Sequence, residues 1–592
     1  MHYKNEVLYI ENEELDRFFP EPSCSIPIST ILSSALKIER SLSLLNREMK
    51  KGFRGELSPA IHLMSADCGT GKTTALQKAL REWRADGFRG DGAIIFLRTL
   101  EEIDPIVRGT GLDHADYAVF TSDEKYKMYG AGRSAANRVP VLFVSQVMAR
   151  KMMLIAGGFE AVAEFRYFGN VRALRVWDEG FAAAEGAAFD IVDLHSLPSA
   201  YKALPRPDRD MLWALVQSCA EPVAGLALDI PLAIIDTVDR VLKGGLKVAE
   251  APKRTLEALG KLAGSTAYLR GSDYTDWTFL GAGRSLPADI MPLIVLDASA
   301  RLTSRYKQLR AHGMNVVDLE PALLEYSRLA FHWCDLAAGK TALRNAAQRA
   351  IIYGTIAALV NSKTEDFLIV IAKDACGSGD GPVAMPKELH ALLTDPNRVR
   401  VTSWGRHIGT NEYRDIPNVI IVSAYNYGDD GYDALALAAS GRRDGSVSKE
   451  ERREEAASAF MHNVYQAVCR SRVRQRDGAL AGAANVYLIM KDSDQRREQI
   501  VRAFPGCSID VWMPCTPSKK TKHDLVLQTL FAIMKRQNSV SFNALTAACG
   551  GRGQSYLTKV VKTERFKDGI QSKGIKRVGN SFHRQLEMAA AA

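Results

Sequence analysis

No apolar run in these 592 residues reaches the roughly 18 that a membrane-spanning helix needs. The opening Met1-His2-Tyr3-Lys4-Asn5-Glu6 is polar and mixed in charge, which does not read as a secretory leader. The nine cysteines are scattered and include no C-x-x-C pair, which argues against a zinc site or an iron–sulfur cluster, both of which need clustered thiolates. Their odd number, and the place of Cys68 in a glycine-rich loop, predict a reducing cytoplasmic setting rather than disulfides. There is no internal repeat, and no low-complexity tract beyond Ala589–Ala592. Acidic residues are scarce at the C-terminal end. From Pro517 to Ala592 nine Lys and five Arg face two Asp and two Glu, a net of +10, so a chain of net charge +9 is close to neutral elsewhere. A basic appendage on a neutral body is the electrostatic footprint of nucleic-acid binding.

What is present is a phosphate loop. Ala66-Asp67-Cys68-Gly69-Thr70-Gly71-Lys72-Thr73-Thr74 follows the apolar run Ala60–Met64 and precedes a helix-forming run, Ala75–Trp83. Strand, glycine loop and helix together make a phosphate cradle. The glycines let backbone N–H groups face the phosphates, and the helix N-terminus adds partial positive charge. Gly69, Thr70, Gly71, Lys72, Thr73 and Thr74 are therefore the expected ATP-binding set, with Lys72 on the β- and γ-phosphates and the Thr73 hydroxyl on Mg²⁺. A second site follows at Leu174-Arg175-Val176-Trp177-Asp178-Glu179, an apolar run ending in two acids. At a strand end downstream of a phosphate loop, Asp178 is expected to hold Mg²⁺ and Glu179 to polarise the attacking water.

Short apolar runs alternate with helical patterns on both sides of residue 320, which predicts parallel sheets with crossover helices. The plan is an N-terminal helical extension (1–59), a first lobe (60–319) carrying a mostly helical insertion (182–287), a second lobe (320–514) and a basic module (520–592). Within the insertion, Leu212–Val223 and Leu228–Leu242 read as helices. In the tail, Leu525–Lys535, a helix starting at Ser541 and Ser555–Thr563 read as three helices. Gly569–Val578 and Ser581–Leu586 read as a short ribbon, so the module is expected to be winged-helix-like.

Over roughly residues 60–515 the chain resembles superfamily 2 helicases and translocases. Ala66–Thr73 matches motif I and Asp178-Glu179 matches motif II. Ile95–Leu100 resembles motif Ia, and Val144-Ser145-Gln146 the later strand-end segment. Ile294–Ala300 resembles motif III but has Asp-Ala-Ser where the family has Ser-Ala-Thr. Gly409–Ile421 resembles motif V, and Tyr465–Arg474 motif VI. The resemblance implies an α/β fold with two RecA-like lobes closing on ATP and Mg²⁺. It implies nucleic-acid contacts from Arg98, Thr99, Ser145, Gln146, Gly409 and Asn411. It also implies a catalytic cluster of Gln466, Arg470 and Arg474 beside Glu179. At four-residue spacing these three share one helical face. Arg470 is the first choice of arginine finger, with Arg472 or Arg474 second, because the family's usual spacing would fall on Val473.

The implied activity is that of an ATP-driven helicase or translocase. The partner is nucleic acid, with a lean toward DNA from the tail, in the replication, repair or recombination of a phage or mobile element, whose proteins would be its other partners. An RNA helicase, or an ATP-gated DNA-loading factor that does not translocate, are the alternatives.

Overall fold

The computed structural model describes residues 28–243, 249–271, 277–375, 384–406, 412–513, 522–534, 537–549, 554–571 and 573–584. Two compact units are present, Met1–Met513 and Pro514–Ala592. Among the described residues no helix is long and apolar enough to cross a membrane.

The first unit is built on two parallel sheets, the α/β class expected. The seven-stranded sheet runs in the order Val316–Asp318, Ile61–Met64, Leu293–Leu296, Leu174–Asp178, Ala93–Leu97, Val141–Ser145, Tyr117–Phe120. Its central strands are buried on both faces, which is why they read as unbroken apolar runs rather than alternating ones. The six-stranded sheet runs Val399–Ser403, Phe367–Ile371, Asn418–Val422, Ala484–Met490, Leu329–Asp335, Ser508–Val511. All pairings in both sheets are parallel. Ligands of such sheets bind outside the carboxyl ends of the strands. The phosphate loop and Asp178-Glu179 both lie there, at the ends of the strands Ile61–Met64 and Leu174–Asp178, with Leu293–Leu296 between them. The helix Ile28–Phe53 packs its buried Ile38, Leu45, Met49 and Phe53 onto this lobe, with Phe53 stacked on Trp83 at 4.3 Å.

The insertion differs from the expectation. Its helices are there, at Ile191–Ala200, Arg206–Gln217, Ile234–Lys243 and Glu250–Lys261, but they pack on a four-stranded antiparallel sheet. The residues expected to begin the helix Leu228–Leu242 instead form the strand Ala227–Asp229, paired to Thr266–Gly271. The insertion also packs against the second lobe. Its edge strand Gly186–Asp190 lies so close to the helix Asp429–Ser440 of the second lobe that a Cβ at Gly186 would collide with the Ala434 carbonyl. Fully buried Asp433 joins the two, accepting from Arg270 of the insertion and, at 2.7 Å through each oxygen, from Arg452. Removing one member of a buried charged cluster leaves the others uncompensated, at roughly 3–5 kcal/mol. Both arginines retain some solvent contact, so Asp433→Ala is expected to cost the low end of that range, read as a lower denaturation midpoint of a chain ending at Met513.

The second unit has the helices Lys522–Met534, Phe542–Ala548 and Gln554–Val561 close to where they were expected. A further helix, Glu564–Gln571, occupies the first part of the expected ribbon. The ribbon itself is Ile575–Val578 with Ser581–Arg584, and Ser539–Ser541 adds a third antiparallel strand. Ser541 caps its helix by accepting from the Ala544 N–H, as its sequence position predicts.

Candidate active site

The strand Ile61–Met64 ends in a loop whose shape depends on two glycines. Gly69 (φ +78°) and Gly71 (φ +111°) are in backbone conformations that L side chains rarely adopt. Gly71 caps the helix Lys72–Ala85, so the amides of Lys72, Thr73 and Thr74 open that helix toward the cleft. Thr70 is buried and closes the loop, its hydroxyl donating to the Asp67 carbonyl at 2.7 Å. Lys72 folds back and donates to the carbonyls of Ala66 (2.6 Å) and Asp67 (3.2 Å). Burial lowers its pKa, opposed in part by Asp178 and Asp67.

Asp178 ends the strand Leu174–Asp178 and is buried. Burial, and then the neighbouring Glu179, push its pKa up to about 7 against the pull of Lys72. Glu179 has φ +63°, a strained value for a non-glycine residue, held by its N–H donating to the Leu296 carbonyl at 2.9 Å. Burial favours its neutral form, but Arg470, Arg98 and Lys72 together outweigh that and hold the carboxyl below its usual range. One carboxylate oxygen, Oε2, is buried without a partner.

The facing wall comes from the second lobe. The helix Lys449–Val468 carries Gln466 near its end. Arg470 Nη2 donates to Gln466 Oε1 at 2.8 Å and crosses the lobes to Glu179 Oε1 at 3.0 Å. The single helical face expected for Gln466, Arg470 and Arg474 is not formed. The helix stops at Val468, Arg470 sits in the turn beyond it, and Arg474 ends a 3₁₀ turn, Arg472–Arg474. Arg470 is buried, so it is not the surface arginine that a continued helix would have made it. Arg472 is exposed and donates to the Asp415 carbonyl, away from the cleft, whereas Arg474 lines it. Burial, then Arg470, lowers the Arg474 pKa to about 10.

Together these residues enclose a cleft of about 590 Å³. Gly69, Gly71, Lys72, Thr73, Thr74, Asp178 and Glu179 line it from one lobe, and Gln466, Arg470 and Arg474 from the other. Thr99 also lines it, at the cap of a 3₁₀ turn containing Glu102, while Arg98 is exposed at the strand end. Ser145 caps the helix Gln146–Ala156 and Gln146 donates to the Asp178 carbonyl, so both already have structural partners. Gly409 and Asn411 lie outside the described residues. The expectation of no disulfide fails here: Cys68 of the phosphate loop is bonded to Cys469, 401 residues away. Sequence spacing carries no sign of such a pair, because the fold alone brings the two together.

Further residues complete the site, and of these Arg301, His462 and Glu102 had no sequence signal. Asp67 is fully buried; one oxygen accepts from Tyr465 Oη (2.8 Å) and Arg301 Nη2 (2.9 Å), the other from the Leu324 N–H (2.9 Å). Arg301 in turn donates to the Arg502 and Ala503 carbonyls, so the phosphate loop is tied to the second lobe. In the segment Ile294–Ala300, Ser299 donates to Asp297 at 2.7 Å and meets His462 Nδ1 of the other lobe at 2.9 Å. Burial, then Arg305, lowers the His462 pKa to about 4. Glu101 and Glu102 also line the cleft, and the Glu102 pKa is raised by burial and then by Asp178 and Glu179.

No family model matches this chain, and no curated protein matches it. Among solved structures it is similar to an XPD in the apo form (12% identity, 79% of this chain and 100% of that one, TM-score 0.45). It is similar to Xpd4 of S. tokodaii (10% identity, 80% and 100%, TM-score 0.41). It is also similar to S. cerevisiae Dbp5 bound to RNA and ADP BeF3 (10% identity, 77% and 86%, TM-score 0.33). What the cleft can do is read from its own residues.

Proposed function

We propose that this chain is a nucleic-acid-dependent ATPase of the superfamily 2 type, a DNA helicase or translocase working in the cytoplasm of a bacterium or of a phage-infected cell. The observation that carries the reading is the Arg470–Glu179 pair. A guanidinium from one lobe reaches the water-activating carboxylate of the other, across a cleft floored by a phosphate loop. The residues fit ATP and Mg²⁺. Two positive-φ glycines free the loop amides, Lys72 stands at the helix start, and the Thr73 hydroxyl and Asp178 carboxylate share one cleft. Mg²⁺ held by Thr73 and Asp178 would neutralise charge on the phosphates.

The chain's own groups then divide the work. Lys72 leaves its loop carbonyls for the β- and γ-phosphates. Arg470 moves from Glu179 to the γ-phosphate, and the freed Glu179 polarises water toward it. Loss of the γ-phosphate removes the charge on which Arg470 closes, and the lobes part. Segments at strand ends, Arg98 among them, then shift against a phosphate backbone, so stepping is largely independent of sequence.

Steady-state hydrolysis measured without polymer and with single-stranded DNA, duplex DNA and RNA tests the reading. Stimulation by DNA beyond RNA is expected. Greater stimulation by RNA would make this an RNA helicase. Slow turnover that no polymer changes, with DNA affinity set by nucleotide, would make it a loading factor.

The basic module is proposed as a grip on the backbone. A chain ending at Pro514 loses a net +10. Each phosphate contact contributes about −0.9 to the slope of log affinity against log salt on duplex DNA. The truncated chain should bind more weakly, with a slope shallower by several units, and keep its basal hydrolysis. Unchanged affinity and slope would make the tail charge a solvated or protein-docking face.

A further inference from the structure

Cys68 and Cys469 have no part in the chemistry above, yet both line its cleft and they are bonded to each other. Cys68 is the third residue of the phosphate loop, four before Lys72. Cys469 immediately precedes Arg470. Their Cα atoms are 6.0 Å apart, inside the range a disulfide accepts. The bond therefore ties the segment that holds phosphate to the segment that carries the finger. The surroundings reinforce the tie. A Cβ at Gly69 would collide with the Arg474 carbonyl, and the Cys68 N–H donates to Tyr465 of the other lobe at 3.1 Å.

We infer that Cys68 and Cys469 are a redox-modification site that locks the two lobes together over the ATP cleft. The functional consequence rests on the ATPase reading; the lock itself does not. A disulfide limits its Cα atoms to roughly 7 Å apart. Lobes joined at this point cannot part after hydrolysis, and the loop cannot move away from Arg474 to admit a new nucleotide. In the reduced form only hydrogen bonds and packing hold the contact, which ordinary opening breaks.

A small-molecule disulfide such as oxidised glutathione is the oxidant class that fits. Cys68 is half-buried while Cys469 is 3% exposed, so Cys68 is the entry point. Its thiolate attacks one sulfur of the oxidant, forming a mixed disulfide and expelling one glutathione thiolate. The Cys469 thiolate then attacks the Cys68 sulfur and expels the second. The two protein thiols give up two protons and two electrons, and the oxidant becomes two molecules of glutathione.

The test equilibrates the full chain in buffers of graded reduced-to-oxidised glutathione ratio and takes three readings: the linked peptide by mass spectrometry, amide exchange of 66–74 and 466–474, and ATP turnover. The Cys68–Cys469 peptide is expected in oxidising buffer and absent in reducing buffer. On oxidation, exchange in both segments should slow by roughly tenfold or more. Turnover should fall by roughly tenfold or more and return with dithiothreitol. Cys68→Ser and Cys469→Ser should each abolish the redox response of all three, whatever their own turnover. Cys334→Ser, at a buried cysteine without a disulfide, should keep it. No linked peptide, or a linked peptide with unchanged exchange, overturns the lock. Absence of turnover in the reduced chain would sink the ATPase reading alone, and exchange would still decide the lock.

Discussion

Arg470→Ala is expected to reduce ATP turnover by about 10³–10⁵, the range an arginine finger supplies. Its guanidinium is the group from the second lobe that reaches Glu179, at 3.0 Å, with Gln466 orienting it at 2.8 Å. Burial adds a stability effect that an exposed helix arginine would not have. The alanine variant leaves the half-buried Glu179 carboxylate without its closest cation, a loss bounded by roughly 3–5 kcal/mol. Arg98 and Lys72 also act on Glu179, so the cost should fall below that bound. Arg470→Lys separates the two effects, because it keeps the charge and loses the planar fork. It should fold with a midpoint near that of the parent and still lose most of its turnover. Single-turnover hydrolysis and chemical denaturation on the same preparations read both. Near-parental turnover in a folded Arg470→Ala would transfer the role to Arg474, the other arginine lining the cleft.

The second large effect separates binding from chemistry. Glu179→Gln keeps shape and loses the base, so hydrolysis should fall by at least about a hundredfold. Nucleotide affinity should hold or rise, since the amide no longer repels the γ-phosphate. Lys72→Ala should do the reverse first, weakening nucleotide binding by roughly tenfold to a hundredfold as a charge-assisted contact is lost, and turnover with it. Fluorescent-nucleotide titration beside a hydrolysis assay distinguishes them. Full hydrolysis by Glu179→Gln would remove Glu179 as the base and leave Glu102, another acid lining the cleft, as the candidate.

Local sequence carried the parts of this site that are local. A phosphate loop is one strand, two glycines and one helix start within about fifteen residues, and each has its own signal. The acidic strand end Asp178-Glu179 is equally compact. The arginine segment was legible in composition but not in shape. Nothing in Val468-Cys469-Arg470-Ser471 is a glycine or proline stop, so the periodicity of Gln466, Arg470 and Arg474 suggested a helix that ends two residues before Arg470. In the insertion, Thr266–Gly271 and Trp277–Ala282 are short strands within a helix-rich stretch, and their pairing gives them their identity. The strand Leu329–Asp335 was obscured by His332, which alternates toward the half-buried side and breaks the apolar run. The partners of Asp67, and the Cys68–Cys469 pair, are hundreds of residues apart in the chain. The sheet of the first lobe brings Arg301 to Asp67, and the closure of one lobe on the other brings Tyr465 to Asp67 and Cys469 to Cys68.

The central claim is that one ATP is held between Lys72 and Arg470. The most direct measurement is a structure of the full chain, under reducing conditions, with Mg²⁺ and a non-hydrolysable ATP analogue. The account predicts the triphosphate along Gly69–Thr74, with Lys72 released from the Ala66 carbonyl and Arg470 turned from Glu179 to the γ-phosphate. A nucleotide bound elsewhere, or bound at the loop with Arg470 still on Glu179, would contradict it.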